Sequence, residues 1–305
     1  MPVGPERARA RSTPHTGNPP VASSHSDLEP HPPMTQILAS FPSPPINSFH
    51  IGPLRVTFYG ILIAIGVAVA WQVTERRFTA RGGDSEVLGR ILARVLVFGF
   101  LGARLGYVST HLSRFEGEWW KVIAIWEGGL ALYGGLTAGA IVMVLYSRKW
   151  GSSIPDLLDS VAPAVPFAQA FGRWGNYFNQ ELFGTPTDLP WGVEIEPQFR
   201  PEEYPNAEAF HPTFLYESIW NVSLAFFIIW IGKRYPQLRG RLVGIYFVGY
   251  AFFRFLMELI RTDTTFRFLG LSRNAWVSIG VMILGTLVLF WKKAIVELTK
   301  EPTTT

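Results

Sequence analysis

From residue 55 onward the chain alternates long apolar runs with short polar breaks, and each run is near the ~20 residues that cross a hydrocarbon core. Seven runs stand out, at 56–74, 91–112, 129–147, 154–171, 212–231, 242–260 and 274–291. The first, third and seventh hold no charged residue, whereas Pro155, Pro163, Pro166 and two aspartates interrupt the fourth. The pattern predicts an all-α polytopic membrane protein with seven transmembrane helices. Residues 1–50 are different: Pro, Ser, Thr and His dominate stretches such as PHTGNPP and SFPSPP, and nothing is periodic. That composition buries too little apolar surface to offset its ordering entropy. It predicts a disordered tail over 1–50, a membrane domain over 51–295 and a short tail over 296–305. The first segment lacks the apolar core of a signal peptide, and Met34 is an alternative start.

Basic residues orient the helices. Arg76, Arg77, Arg81, Arg148, Lys149, Lys233, Arg234, Arg239, Arg241, Lys292, Lys293 and Lys300 fall in loops on one side, against Arg114, Lys121, Arg173, Arg200, Arg261, Arg267 and Arg273 on the other. Twelve against seven predicts the amino terminus outside and the carboxyl terminus in the cytoplasm. The Pro-rich loop 184–210 then faces outward.

Composition agrees. Of 305 residues, 48% are apolar and 16% charged, where soluble domains carry about 25% charged residues. The net charge of +4 follows from loops facing anionic lipid; the basic residues form no stripe suited to nucleic acid. There is no cysteine, so a thiolate nucleophile or Cys-ligated metal is excluded. No fixed-period repeat or pair of interrupted helices marks an inverted-repeat transporter.

Ionisable residues within the apolar runs are the candidate chemistry: Arg94 and Arg104 in the second, Asp156 and Asp159 in the fourth, Glu217 in the fifth, Arg254 and Glu258 in the sixth. Spacings of four and three put Tyr250, Arg254, Glu258 and Arg261 on one helical face. They form either an interhelical ion pair or, the reading we take, a polar cavity where Arg254 holds an anionic head group. The densest feature is Phe171-Gly172-Arg173-Trp174-Gly175-Asn176-Tyr177-Phe178-Asn179-Gln180-Glu181. It reads as a Gly-rich turn, with Arg173 offering a fork to phosphate and Asn176, Asn179, Gln180 and Glu181 orienting it. The run Gly102-Ala103-Arg104-Leu105-Gly106-Tyr107 presents a glycine face for close packing, with Arg104 either structural or ligand-binding. His211 precedes Pro212 at the mouth of the fifth run and reads as a hydrogen-bonded anchor; Glu127 or Tyr133, beside paired glycines, is a packing residue or a cavity group. Tyr59 suits an interfacial belt.

These blocks, in this order over roughly residues 50–290, resemble the bacterial prolipoprotein diacylglyceryl transferase family. The resemblance rests on Gly172 to Glu181, on His211-Pro212-Thr213 with Leu215-Tyr216-Glu217, on Tyr250 with Arg254 and Glu258, and on Gly102-Ala103-Arg104 with Tyr107. It implies seven helices in the bacterial cytoplasmic membrane, an enzyme needing no metal or organic cofactor, and two substrates. These are phosphatidylglycerol, which gives up its diacylglyceryl group with release of glycerol phosphate, and a preprolipoprotein, whose lipobox cysteine thiol receives it. By similarity Arg173 and Arg254 are the phosphate-binding, charge-stabilising pair. Glu258, Asn176 and Glu181 orient them, Tyr59 and Tyr250 lie near the head group, and Asn179, Arg104 and His211 are further substrate-site residues. Many members carry a histidine where this chain has Tyr133, and some another at Thr57. Either Tyr133 assists catalysis, or the arginines lower the thiol pKa without a dedicated base. The competing function is a transporter or receptor for an anionic solute. A retinal receptor lacks its lysine, and a membrane protease its motifs.

Overall fold

The computed structural model describes residues 40–125, 128–262 and 267–290. Among the described residues eight α-helices make up the frame: α1 (Phe58–Thr79), α2 (Ser85–Thr110), α3 (Leu132–Lys149), α4 (Ile154–Val161), α5 (Ala164–Asn179), α6 (Thr213–Arg234), α7 (Leu242–Ile260) and α8 (Arg273–Phe290). Among the described residues α1, α2, α6, α7 and α8 are long and apolar enough to cross a membrane. The molecule is inside-out relative to a water-soluble one. Leu96, Val97, Phe100 and Leu101 of α2 are exposed, while Asp159, Asn221 and Glu217 are 0%, 1% and 3% exposed. Apolar faces of that extent aggregate in water and are at home in lipid.

Local chemistry sets the helix starts. Thr57 caps α1 by accepting from the Gly60 amide at 3.0 Å, and Asp84 caps α2 through the amides of Glu86 and Val87 at 2.7 and 3.2 Å. The fourth apolar run is not one helix. α4 ends at Val161, and α5 begins after Pro163, whose ring cannot sit inside a continuous helix. The Arg173 block then lies within α5, so residues 172–179 are helical, not the turn that their glycines suggest.

Helices pack in pairs, α2 on α3, α7 on α8, and α1 on α5, with α6 covering α5. Small residues set the spacing. A methyl group on Gly102 would come within 2.7 Å of the Gly134 carbonyl, and one on Gly244 or Gly285 within 2.8 Å of the other's carbonyl.

Three short antiparallel pairs decorate the bundle: β1 (Ser48–Ile51) with β2 (Leu54–Thr57), β3 (Val193–Glu194) with β4 (Ala209–Phe210), and β5 (Arg267–Phe268) with β6 (Leu271–Ser272). Structure begins ahead of residue 50. Phe41 exchanges backbone bonds with Gly192 and Glu194 at 2.9 and 2.8 Å, and Pro42 accepts from the Tyr177 hydroxyl at 2.8 Å. Phe41 thereby joins the aromatic core of the long loop, built on Phe183, Val193, Ile195, Phe210 and Phe214. Composition misjudged this stretch because its order is supplied by partners 130 or more positions away. Residues 1–39, most of the predicted tail, and the 296–305 tail lie outside the described residues.

At the opposite end of the bundle, the two aspartates of α4 clamp the α6–α7 turn. Asp156 receives Arg239 through Nε at 2.7 Å and Nη2 at 2.5 Å, which raises the Arg239 guanidinium above its ordinary pKa. Asp159 accepts from the Gly240 and Leu242 amides at 2.8 and 3.0 Å, capping α7 from another helix. Removing such an acceptor leaves buried donors unsatisfied, at ~1–3 kcal/mol each. Asp159→Ala is therefore expected to lower the melting temperature of the detergent-solubilised protein by several degrees. Asp159→Asn, which keeps one carbonyl acceptor, should lose less; thermal melting followed by size-exclusion chromatography measures both.

Candidate active site

Arg173 sits near the carboxyl end of α5 and extends to α6, where its Nη2 forms an ion pair with the buried carboxylate of Glu217. Its Nη1 donates to the Asn176 Oδ1 at 3.5 Å, one turn along the same face. Asn176 in turn donates to Glu181 Oε1 at 2.9 Å, and Asn179 reaches the same oxygen at 3.2 Å. The relay Glu217–Arg173–Asn176–Glu181 fixes the guanidinium from both ends. It needs α5 to stop sharply, and Gln180 does this by entering the left-handed region at φ 50°. The Gln180 side chain is held by Glu196, donating to its carboxylate at 2.8 Å and accepting from its amide at 2.9 Å. The following loop is sewn to neighbouring helices: Thr213 donates to the Leu182 carbonyl, Gly184 to the His211 carbonyl at 3.0 Å and Thr185 to the Ile260 carbonyl at 2.8 Å.

Arg173 and Asn176 open onto a cavity of about 540 Å³ between α1, α2, α4 and α5. Tyr59, Arg173 and Asn176 form its polar head. Below them the walls are apolar, from Ile63, Val67, Ala70 and Trp71 of α1, Leu92, Val95 and Leu96 of α2, and Val161, Ala164, Val165 and Ala168 beyond. Ala164 to Arg173 spans ~14 Å at 1.5 Å per residue, close to half of a ~30 Å hydrocarbon core. The shape suits an anion that carries a long apolar tail. Gly175 makes the head possible, because a methyl group there would come within 2.8 Å of the Tyr59 ring.

A second ion pair, Arg254 to Glu258 at 2.7 Å on α7, bears out that step of the predicted helical face, whereas Arg261 lies past the end of the helix in extended backbone bridged to Gly184. Glu258 also accepts from Ser272 at 2.7 Å and Asn274 at 3.3 Å, fastening α7 to the start of α8. Arg254 does not line the 540 Å³ cavity, and neither does Tyr250, which stacks on Tyr246 at 5.7 Å. His211 is half-buried with Nδ1 3.2 Å from the Tyr216 hydroxyl, the geometry of an anchor. Tyr133, at the first turn of α3, is 62% exposed, and its neighbour Leu132 lines the cavity in its place. Glu127 lies outside the described residues.

Arg104 has a different task from ligand binding. Its Nε donates to the Val122 carbonyl at 2.7 Å, Nη1 to Gly128 and Gly129, and Nη2 to Lys121 and Ala124. Five donors meet five carbonyls, a complete set for a guanidinium, and the side chain pins the segment leading into α3. Gln169 and Trp71, which line the cavity, escaped sequence reading. Only the four-residue step from Gln169 to Arg173 hints at a shared face. Glu217 stood out as an intramembrane acid, but its partner on another helix was not legible.

The fold and the site together define a class: an all-α membrane protein with an arginine at the head of a largely apolar cavity. Residues 46–291 match the family model described as prolipoprotein diacylglyceryl transferase. The chain is 42% identical over 234 residues to the phosphatidylglycerol--prolipoprotein diacylglyceryl transferase of Cutibacterium acnes, covering 76% of this chain and 78% of that one. It is 40% identical over 249 residues to the second such transferase of Streptomyces coelicolor, covering 81% and 78%. The chain belongs to the prolipoprotein diacylglyceryl transferase family, and it is an enzyme of that family.

Gly175→Ala forces the Tyr59 ring out of the cavity head. It is expected to cut turnover at least ~10-fold, on the scale of a misplaced reacting group, with the fold retained. Initial rates measured beside a melting curve check this.

Proposed function

We infer that this chain transfers the diacylglyceryl group of phosphatidylglycerol to the lipobox cysteine of preprolipoproteins, in the cytoplasmic membrane of its bacterial host. The observation that carries the reading is the apolar sleeve of leaflet depth closed by Arg173, Asn176 and Tyr59. The acyl chains occupy the sleeve and the phosphate meets Arg173. In the reaction the cysteine sulfur attacks a glyceryl carbon. The carbon–oxygen bond breaks, its electrons stay on the phosphate oxygen, and glycerol phosphate leaves. Charge grows on that phosphate in the transition state, so a guanidinium fixed beforehand contributes most there. Asn176 and Glu181 hold the fork in place. Arg254, fixed by Glu258, supplies positive potential from α7. No step draws on a metal or organic cofactor.

In this reading α3 and the broken α4–α5 unit complete seven crossings, with the amino terminus outside and the carboxyl terminus in the cytoplasm. The membrane domain begins near residue 40, where Phe41 joins the core of the long loop, and runs to 295 between the two tails. The Arg173 end then faces outward, where the substrate cysteine lies. The anionic-solute carrier is not favoured, since the named relatives are transferases.

The test is lipid labelling of a lipobox peptide by the purified protein in phosphatidylglycerol vesicles. Arg173→Ala should lower the initial rate ~100-fold or more, the scale of a lost oxyanion donor, and Arg254→Ala, which removes a charge acting from outside the cavity, should lower it less. Tyr133→Phe should stay within ~3-fold of the parent, below the scale of general acid–base loss. Undiminished labelling by both arginine variants removes the site assignment. A wild-type protein that binds the lipid and never releases glycerol phosphate removes the function.

A further inference from the structure

Three charged groups are linked behind the head of the cavity: Arg173, which lines it, Glu217 paired with that arginine from α6 and, through Asn176, Glu181. Their formal sum is one positive and two negative charges. A phosphodiester brings another negative charge, and a cysteine thiolate would bring one more. In a site walled by apolar helices that accumulation is prohibitive unless a carboxylate takes up a proton. The two carboxylates are not equivalent. Glu181 accepts from two amide side chains, those of Asn176 and Asn179, and among the described residues has no cation to lose to a phosphate. Glu217 is 3% exposed and is held, among the described residues, by Arg173. A phosphate that engages Arg173 competes for the group that makes the Glu217 charge tolerable. A buried carboxylate stripped of its cation becomes a base.

The other titratable and charged groups around it do not replace that cation. α1 contributes Tyr59 and α7 contributes Tyr246 and Tyr250, with Arg254 engaged by Glu258. At the mouth of α6, His211 is paired with Tyr216. One turn deeper on the same helix faces, Gln169 and Asn221 each bury a carbonyl oxygen with no donor. Buried acceptors of this kind are normally met by water, and the Gln169 side chain also lies in hydrogen-bond reach of the Tyr246 hydroxyl.

We propose that Glu217 is the proton acceptor of the reaction, held inactive by Arg173 until the lipid phosphate takes over the Nη2 of that arginine, whose Nη1 stays on Asn176. The proposal rests on the transferase reading above. The thiol proton passes to the Glu217 carboxylate, directly or through one water. The sulfur lone pair forms the carbon–sulfur bond, and the carbon–oxygen bond electrons go to the phosphate. The proton then moves from Glu217 to the departing glycerol phosphate, and the Glu217–Arg173 pair closes again. A chain with Tyr133 exposed thus keeps a base beside the site, and that base is unmasked only when lipid is bound.

A selenocysteine peptide separates base catalysis from scaffolding, because a selenol is already ionised at neutral pH and needs no acceptor. With full-length protein in phosphatidylglycerol vesicles, Glu217→Gln is expected to lose ~100-fold or more toward the cysteine peptide, the usual scale of a lost general base. Toward the selenocysteine peptide it should lose less than ~10-fold, outside that scale. Glu217→Asp, which keeps the carboxylate, should show the same bias to a smaller degree and reports if the glutamine variant does not fold. Equal losses toward both peptides, or no loss toward cysteine, overturn the proposal and leave the transferase reading intact. Wild-type protein inert toward both peptides fails the transferase reading itself.

Discussion

A charge placed in hydrocarbon must find its counter-group within the protein, and here, apart from the Arg254–Glu258 pair inside α7, the buried charges described below reach partners on another segment. Arg173 of α5 meets Glu217 of α6. The α4 aspartates meet Arg239 and the first amides of α7. Glu258 of α7 meets Ser272 and Asn274 at the start of α8. Arg104 of α2 meets the carbonyls ahead of α3. Breaking a buried pair by deleting one partner costs ~3–5 kcal/mol, so each contact enforces the helix order. Apolar faces cannot do this in lipid, which is as apolar as they are.

The polar bonds act together with shape. Where helices touch without polar contacts, glycines let the backbones approach, as at Gly102 with Gly134 and Gly244 with Gly285. Where they part, between α1, α2 and α5, the cavity remains. Tyr59 sits at the junction, because its ring occupies the space that Gly175 leaves vacant.

Much of this was legible beforehand. Hydropathy located the long helices because the ~30 Å core imposes their length, and the i, i+4 step from Arg254 to Glu258 was a local pairing rule. The Arg173 block was found but misassigned as a turn. Its glycines serve packing, and only the Tyr59 ring on a neighbouring helix reveals why. Arg104 was ambiguous for a similar reason: an arginine that binds phosphate and one that binds five carbonyls have the same sequence signature. Likewise Phe41 gains its order from Gly192 and Glu194, contacts that composition does not encode. What escaped reading was long-range pairing, since period and propensity are local quantities.

The cavity's depth sets the natural measure of substrate for such an enzyme. Its sleeve is walled by helices whose other faces carry exposed apolar side chains, so the proposed lipid substrate would reach Arg173 by moving within the leaflet without passing through water. In the proposed reaction the quantity that saturates the enzyme is then the mole fraction of anionic lipid around it, a two-dimensional density. Diluting the membrane with neutral lipid starves the site at constant total lipid. Diluting the whole suspension with buffer leaves each enzyme's surroundings unchanged.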